Sequence, residues 1–542
     1  MTSTLANGMP LSWAQRYRDL GLWTDETHWE MFCAAVERHS RHSRHSRHSG
    51  PASPAALDRS RSVSWEELRR GAELASARLA REAGVRAGDN VIVQMPNCVA
   101  YLEVIAGIWR LGARPVFALP AHGSTELRHF AEHAPARVLV GPTRPGRRGQ
   151  RTYDALREQM PELQILGVDH KASDPWEAEA AAGELPEVGA AQATDLAFLQ
   201  LSGGTTGVPK LIPRTHADYL YSVRQSLTVC DLERSSVLLV TLPASHNFTM
   251  SSPGILGAVL VGARIVFAPD TSPFTILPLI EAHRVTHAAM VPPVLLSLLN
   301  APEVAEHDIS SLRTLWVGGA KLSATAARRV TPELGCALQQ VFGMAEGLVN
   351  YTRLDDPEEI ITTTQGRPMS PYDEVRIVDD EDQDVAPGQP GHLLTRGPYT
   401  IRGYHRVPEI NARSFTADGF YRTGDIVEQL PSGHLRVVGR AKDHINRGGE
   451  KIAPEPVENV LLQHPAVHDA SVVGVADEVL GEKTCAYVIP RPGRAEELQN
   501  TTALRAFCRE RGLASFAVPD IIRVVEEFPL TGVGKVSKKD QR

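Results

Sequence analysis

The 542-residue sequence predicts an α/β fold in which a large N-terminal domain of parallel-sheet α/β subdomains, with a β-rich subdomain, precedes a small α+β C-terminal domain. Three observations carry that prediction. Short apolar strands at residues 90–94, 137–140, 263–268 and 314–317 alternate with helical stretches. Beyond residue 370 the texture changes to strand-like segments at 374–378, 391–395 and 435–438, separated by Gly, Pro and Asp turns. The polar segment 439–444 is followed by a new α/β pattern, with an apolar strand at 470–475 and a helix at 502–510. Residues 1–438 are therefore assigned to the large domain, 439–444 to a hinge centred on Asp443, and 445–542 to the small domain.

Taken in order, a helix near residues 29–37 leads into a fourfold Arg-His-Ser repeat at 38–49 and a Gly-Pro-Ala-Ser-Pro stretch. Low complexity without apolar residues predicts a disordered insertion over 38–55. A helix starts at the Ser64-Trp-Glu-Glu cap. The longest apolar run, 255–268, is too short for a membrane span, contains Arg264, and reads as core strands. A net charge of −7 without a basic field argues against nucleic acid as a partner. Six scattered cysteines without CxxC spacing and no apolar leader predict reduced thiols in a cytoplasmic protein with no membrane attachment. The sequence leaves the oligomeric state open.

The most informative segment is SGGTTGVPK at residues 202–210, directly after the apolar run 196–201. Gly203, Gly204 and Gly207 let backbone N–H groups approach an anion; Ser202, Thr205 and Thr206 add hydroxyls, and Lys210 adds a charge. Val208 and Pro209 separate Gly207 from Lys210, which breaks the Walker A spacing. Pro209 and Pro213 oppose the immediate helix of a dinucleotide fingerprint. The loop reads as a triphosphate cradle.

Four further segments, in order, resemble the acyl-adenylate-forming superfamily, which includes acyl-CoA synthetases, luciferases and nonribosomal adenylation domains. They are FGMAE at 342–346, YRTGD at 421–425, GRAKD at 439–443 and GVGK at 532–535. The resemblance covers nearly the whole chain apart from the Arg-His-Ser insertion. It implies the adenylate-forming fold with a mobile C-terminal domain, ATP and Mg²⁺ as cofactors, Lys535 as the residue reaching the α-phosphate and carboxylate, and Glu346 as the metal ligand. It also implies ribose at Asp425, ribose or phosphate at Arg440, and adenine against Gly318, Gly319, Ala320, Val341, Phe342 and Gly343. The family's Tyr and Thr are Phe342 and Ala345 here, which removes two polar contacts.

PASHNFTMSSPG at 243–254 and the run at 342–356 resemble stand-alone aryl acid adenylating enzymes of siderophore pathways. That resemblance places the acid against Asn247, Phe248, Ser252, Gly319 and Val349, and places His246 beside the phosphates. Asn247 stands where amino acid adenylation domains carry an Asp for the α-ammonium; a neutral amide suits an ortho hydroxyl instead. Ser252 and Val349 match enzymes for 2,3-dihydroxybenzoate, whereas salicylate enzymes tend to carry Cys and Leu. Phe248, commonly Tyr, leaves room for 3-hydroxypicolinate. The resemblance implies transfer of the acyl group to the phosphopantetheine thiol of an aryl carrier protein; an aryl-CoA ligase and a non-catalytic nucleotide-binding scaffold remain alternatives.

Overall fold

The computed structural model describes residues 4–45, 54–182, 184–202, 209–443, 445–447, 450–511, 513–531 and 535–542. Two large sheets organise the N-terminal part. In the first, strands run in the order Gln164–Val168, Val138–Pro142, Asn90–Val93, Arg114–Phe117, Leu196–Leu201 and Leu211–Thr215, all parallel except the last. The second has nine strands whose centre is parallel, with antiparallel strands at both ends. Parallel strands need helical crossovers, so helices cover the sheet faces. One of them, Val99–Arg110, has all twelve residues buried and belongs to the core that joins the two sheets. A helix buried all round must be largely apolar, and its two charged residues are partnered: Glu103 accepts from Trp176 at 2.7 Å and Arg110 donates to Ser76 at 3.1 Å.

Local signals explain most boundaries. Ser64 caps the helix Trp65–Ala83 by accepting the Glu67 N–H while Glu67 reaches back to the Ser64 N–H, and Gly84 closes it in the left-handed region. After Pro213 the chain forms a strand, and the next helix, His216–Val229, starts only at a Thr215–Asp218 capping box. The β-rich subdomain is a four-stranded antiparallel sheet of Glu374–Val378, Gly391–Arg396, Tyr421–Gln429 and Leu435–Arg440.

Three expectations need correction. The helix His28–His45 runs through the first eight residues of the Arg-His-Ser repeat, so residues 38–45 are not a disordered insertion. His39 lies buried against Trp65 and Gly262, which gives the repeat a packed face that its composition hides. Ala55 is also buried and Ala56–Leu57 is a strand; residues 46–53 lie outside the description. The apolar run 255–268 is half helix: Gly254–Val261 is helical, Gly262 stops it at φ +81°, and only Arg264–Phe267 is a strand. A run apolar at all but one position has no period by which to tell the two apart. Finally, Gly439 and Arg440 continue the strand Leu435–Arg440, and the turn is confined to Ala441–Asp443.

In the C-terminal part a long hairpin, Val467–Asp477 with Gly481–Pro490, gains Ile521–Val524 as a parallel neighbour. Helices Pro454–Leu461 and Thr501–Glu510 bury their apolar stripes against it. No helix among the described residues is long and apolar enough to cross a membrane.

Candidate active site

The phosphate-loop candidate is the connection between the antiparallel strands Leu196–Leu201 and Leu211–Thr215. Its neck is closed twice: the Ser202 N–H donates to the Lys210 carbonyl, and the Lys210 N–H donates to Ser202 Oγ, both at 3.0 Å. Gly203, Gly204, Thr205, Thr206 and Gly207 lie outside the described residues. Lys210 projects over the ring of Tyr404, 4.1 Å from Nζ to the centroid, and burial lowers its pKa from 10.5.

Glu346 sits in the turn between strands Ala337–Met344 and Gly347–Tyr351, and is buried. The Tyr404 hydroxyl donates to its Oε1 at 2.8 Å; Tyr421, 2.9 Å from the Tyr404 oxygen, is then the donor in that contact. Oε2 takes no hydrogen bond from a described residue, so one lobe of the carboxylate is fixed and the other is available. Among the described residues no three His, Cys, Asp or Glu side chains cluster as a metal cage. A Mg²⁺ ion held by one or two carboxylates, with phosphate and water completing its shell, needs no such cage, so Glu346 fits it.

Asp425 and Arg440 face each other across paired strands, with Arg440 Nε donating to Asp425 Oδ1 at 2.9 Å. Burial raises the Asp425 pKa, and the neighbouring guanidinium opposes that shift. One carboxylate oxygen is thus already engaged, which narrows what Asp425 can offer a ribose. Asp443 accepts from Arg542 at 3.2 Å, tying the turn after this strand to the end of the small domain.

Gly318 ends the strand Thr314–Gly318, pairs with Val341, and faces the Phe248 ring; a Cβ there would meet Val341 O at 2.5 Å and Phe248 Cζ at 3.3 Å. Gly319, at φ +83°, faces the other way: its Cβ would meet Lys535 Cε at 2.7 Å. Backbone crowding excludes a side chain at Gly318, and the positive φ disfavours one at Gly319. Ala320 beside them is exposed. The small domain thus delivers Lys535 onto the glycine pair of the large domain. Burial, then the positive charge of Arg440, push the lysine down to about 8, against the pull of Asp425 and Glu346. Gly532 and Gly534, which flank it in sequence, lie outside the described residues.

His246 caps the helix Asn247–Ser251, its Nδ1 accepting the Phe248 N–H at 3.3 Å. Burial, with Lys535 nearby, pushes its pKa down to about 3. A neutral ring that accepts at Nδ1 carries its proton on Nε2. The helix lies against strand Ala337–Met344. Gly343 on that strand pairs with Val349, whose methyl groups would lie 3.1 Å from a Cβ at Gly343, and Phe342 is half-buried on the other side. The Val349 N–H donates to the Tyr399 hydroxyl at 3.0 Å, which fixes this wall. Ser252 is buried beside the Tyr351 hydroxyl. Asn247 Oδ1 accepts from the Tyr219 hydroxyl at 2.9 Å.

The structure thus brings Phe248, Gly318, Gly319 and Lys535 together, joins Lys210 and Glu346 through Tyr404, and pairs Asp425 with Arg440, whereas Asp443 meets Arg542 instead. Two contacts across the domain boundary had no motif to reveal them. Lys321 pairs with Glu455 and donates to the Val437 carbonyl at 2.6 Å; Asn300 meets His468 at 3.1 Å and accepts from Arg329 at 3.2 Å.

The AMP-binding enzyme family matches residues 43–405, and the family of AMP-binding enzyme C-terminal domains matches 456–535. The chain belongs to the AMP-binding enzymes. It is 49% identical to the 2,3-dihydroxybenzoate-AMP ligase of Bacillus subtilis, covering 98% of this chain and 95% of that one. It is 42% identical to a Streptomyces salicylyl-CoA synthase / salicylate adenylyltransferase, covering 98% and 96%. The apo structure of MbtA from Mycobacterium smegmatis superposes with a TM-score of 0.72 at 41% identity, covering 98% and 97%. The adenylate-forming fold and its division into a large and a small domain follow for this AMP-binding enzyme.

Proposed function

We propose that this AMP-binding enzyme is an aryl acid–AMP ligase that joins an ortho-hydroxylated benzoate, 2,3-dihydroxybenzoate by preference, to ATP with release of pyrophosphate. It then passes the aryl group to the phosphopantetheine thiol of an aryl carrier protein in siderophore or nonribosomal peptide assembly. The observation that carries the reading is the glycine pair with Phe248 on one side and Lys535 on the other. It juxtaposes an aromatic ring and a cation, the two groups that joining an aryl carboxylate to the α-phosphate calls for. The 49% identity to an enzyme named for 2,3-dihydroxybenzoate supports the choice of acid.

The chemistry follows from these groups. The acid is already a carboxylate at neutral pH, so its attack on phosphorus needs no base. The cost is electrostatic: two anions approach, and charge builds on the phosphoryl oxygens and on departing pyrophosphate. The Lys535 ammonium serves the reacting centre, Lys210 the β- and γ-phosphates, and His246 offers an uncharged Nε2–H donor. Asp425 with Arg440 holds the ribose, and Phe342 and the glycine pair take the adenine. Mg²⁺, held by Glu346, would neutralise part of the phosphate charge.

For the acid, Asn247 pairs with the ortho hydroxyl and Ser252 with the 3-hydroxyl, for which Val349 leaves space. The named salicylate activity of a 42% identical relative favours salicylate as the second reading. Pyrophosphate exchange with 2,3-dihydroxybenzoate, salicylate, benzoate and 3-hydroxypicolinate separates the two. The reading requires 2,3-dihydroxybenzoate to have the highest kcat/KM, and equal exchange with benzoate would overturn it. Free CoA offered against a carrier protein as thiol acceptor tests the second half-reaction.

A further inference from the structure

Tyr219 lies on the helix His216–Val229, outside every motif that identified the site, and is fully buried. Its ring is clamped edge-on by Phe198, with centroids 4.5 Å apart, and covered by the Arg214 guanidinium at 4.7 Å. Its hydroxyl is therefore held at a fixed point, and from there it donates to Asn247 Oδ1 at 2.9 Å. The Ser251 hydroxyl donates to the Asn247 backbone carbonyl at 3.4 Å and so leaves Asn247 Oδ1 to the tyrosine proton. Asn247 is only partly buried, and its Nδ2 donates to no described residue. An amide whose oxygen is engaged from behind presents only N–H groups in front.

We infer that Tyr219 is a positioning residue that sets the ortho-substituent specificity of the acid pocket by holding Asn247 with its NH₂ group toward the substrate. The inference rests on the proposed role of Asn247. In an ortho-hydroxybenzoate the phenol proton turns inward to the carboxylate, leaving the phenol oxygen as an acceptor for Nδ2. An ortho-amino group gives its own N–H to the carboxylate and has a lone pair delocalised into the ring. It is a poor acceptor, and it meets a donor facing a donor. Benzoate presents neither. A site built to bond one group rejects the analogue that leaves a buried polar atom unpaired.

Tyr219→Phe keeps the packed ring and releases the amide, which can then turn its oxygen forward. Salicylate, anthranilate and benzoate differ only at the ortho position, so kcat/KM for each in pyrophosphate exchange reads the pocket directly. In the Phe variant salicylate should lose about tenfold, benzoate should stay within about twofold, and the salicylate-to-anthranilate ratio should fall by about tenfold or more. Ser251→Ala, which leaves Asn247 as the acceptor for the tyrosine proton, should retain the parent ratio. A uniform loss over the three acids, or an unchanged ratio in the Phe variant, overturns the role of Tyr219. If the parent enzyme itself does not prefer salicylate to benzoate, the reading of Asn247 fails first, and the two failures are distinguished by which protein shows them.

Discussion

The two faces of the cleft are built on opposite electrostatic plans. The side proposed for the acid, from Asn247 to Val349, is neutral, and two hydrogen bonds fix it: Tyr219 holds Asn247 and the Val349 N–H is held by Tyr399. Among the described residues, the side proposed for the nucleotide gathers Lys210, Arg440 and Lys535 around Glu346 and Asp425, and burial has lowered the pKa of both lysines. A surplus of half-buried cations is unfavourable in isolation and becomes favourable when a polyanion arrives. The neutral face can discriminate between acids because it is fixed. In the proposed reaction the charged face drives adenylation, with Lys535 arriving on a separate domain.

Perturbations on the charged side should give the largest effects. Lys535→Ala removes the cation at the reacting centre, and pyrophosphate exchange should fall by about 10²–10³-fold, in line with the loss of one preorganised charge-stabilising donor. The same lysine sets a pH dependence. Its pKa is depressed from 10.5 to about 8, so it is charged below that pH and loses its proton above it. For the empty enzyme, kcat/KM should hold below about 8 and decline as pH rises through that value. The seated lysine binds fewer protons than the unfolded chain between about 8 and 10.5, so the docked arrangement itself gains stability across that window while activity is lost. A profile with the same decline in the Lys535→Ala variant would assign it to another group.

A smaller effect is expected at Tyr404. Tyr404→Phe leaves Glu346 Oε1 without its donor, and the Mg²⁺ concentration needed for half-maximal exchange should rise about tenfold, as for other groups that orient a metal ligand. Selectivity among acids should not change, because the tyrosine lies on the nucleotide side. The smallest effect belongs to the domain boundary. Glu455→Gln breaks the pair with Lys321, whose members are each about one-fifth exposed. Such a pair contributes on the order of 1 kcal/mol or less, so exchange should fall about two- to fivefold while acid selectivity holds.

This contrast also decides what could be read from sequence. The charged face is written in short local segments, because phosphates are bound by loops whose spacing is itself the signal; Lys210, Glu346, Asp425 and Lys535 all fall in such segments. The parallel sheets were equally legible, since strand and helix periods differ. Tyr219, Tyr404 and the Lys321–Glu455 pair were not, because each acts across a sequence separation of 28 to 134 residues through a single hydrogen bond or ion pair. The helix through the Arg-His-Ser repeat was missed for a related reason. Its composition says solvated, whereas the tertiary contact of His39 with Trp65 and Gly262 supplies a buried face. Asn247 was legible by its position, whereas the direction its amide points required the structure.

The central claim is that a lysine on the small domain serves adenylate formation alone. It is tested most directly by giving Lys535→Ala both half-reactions in parallel: pyrophosphate exchange from acid and ATP, and aryl transfer from preformed aryl-adenylate to a phosphopantetheine thiol on a carrier protein. The account predicts that exchange collapses while transfer stays within about threefold of the parent enzyme, because the group that stabilises the first transition state takes no part in the second. Equal loss in both reactions would contradict it.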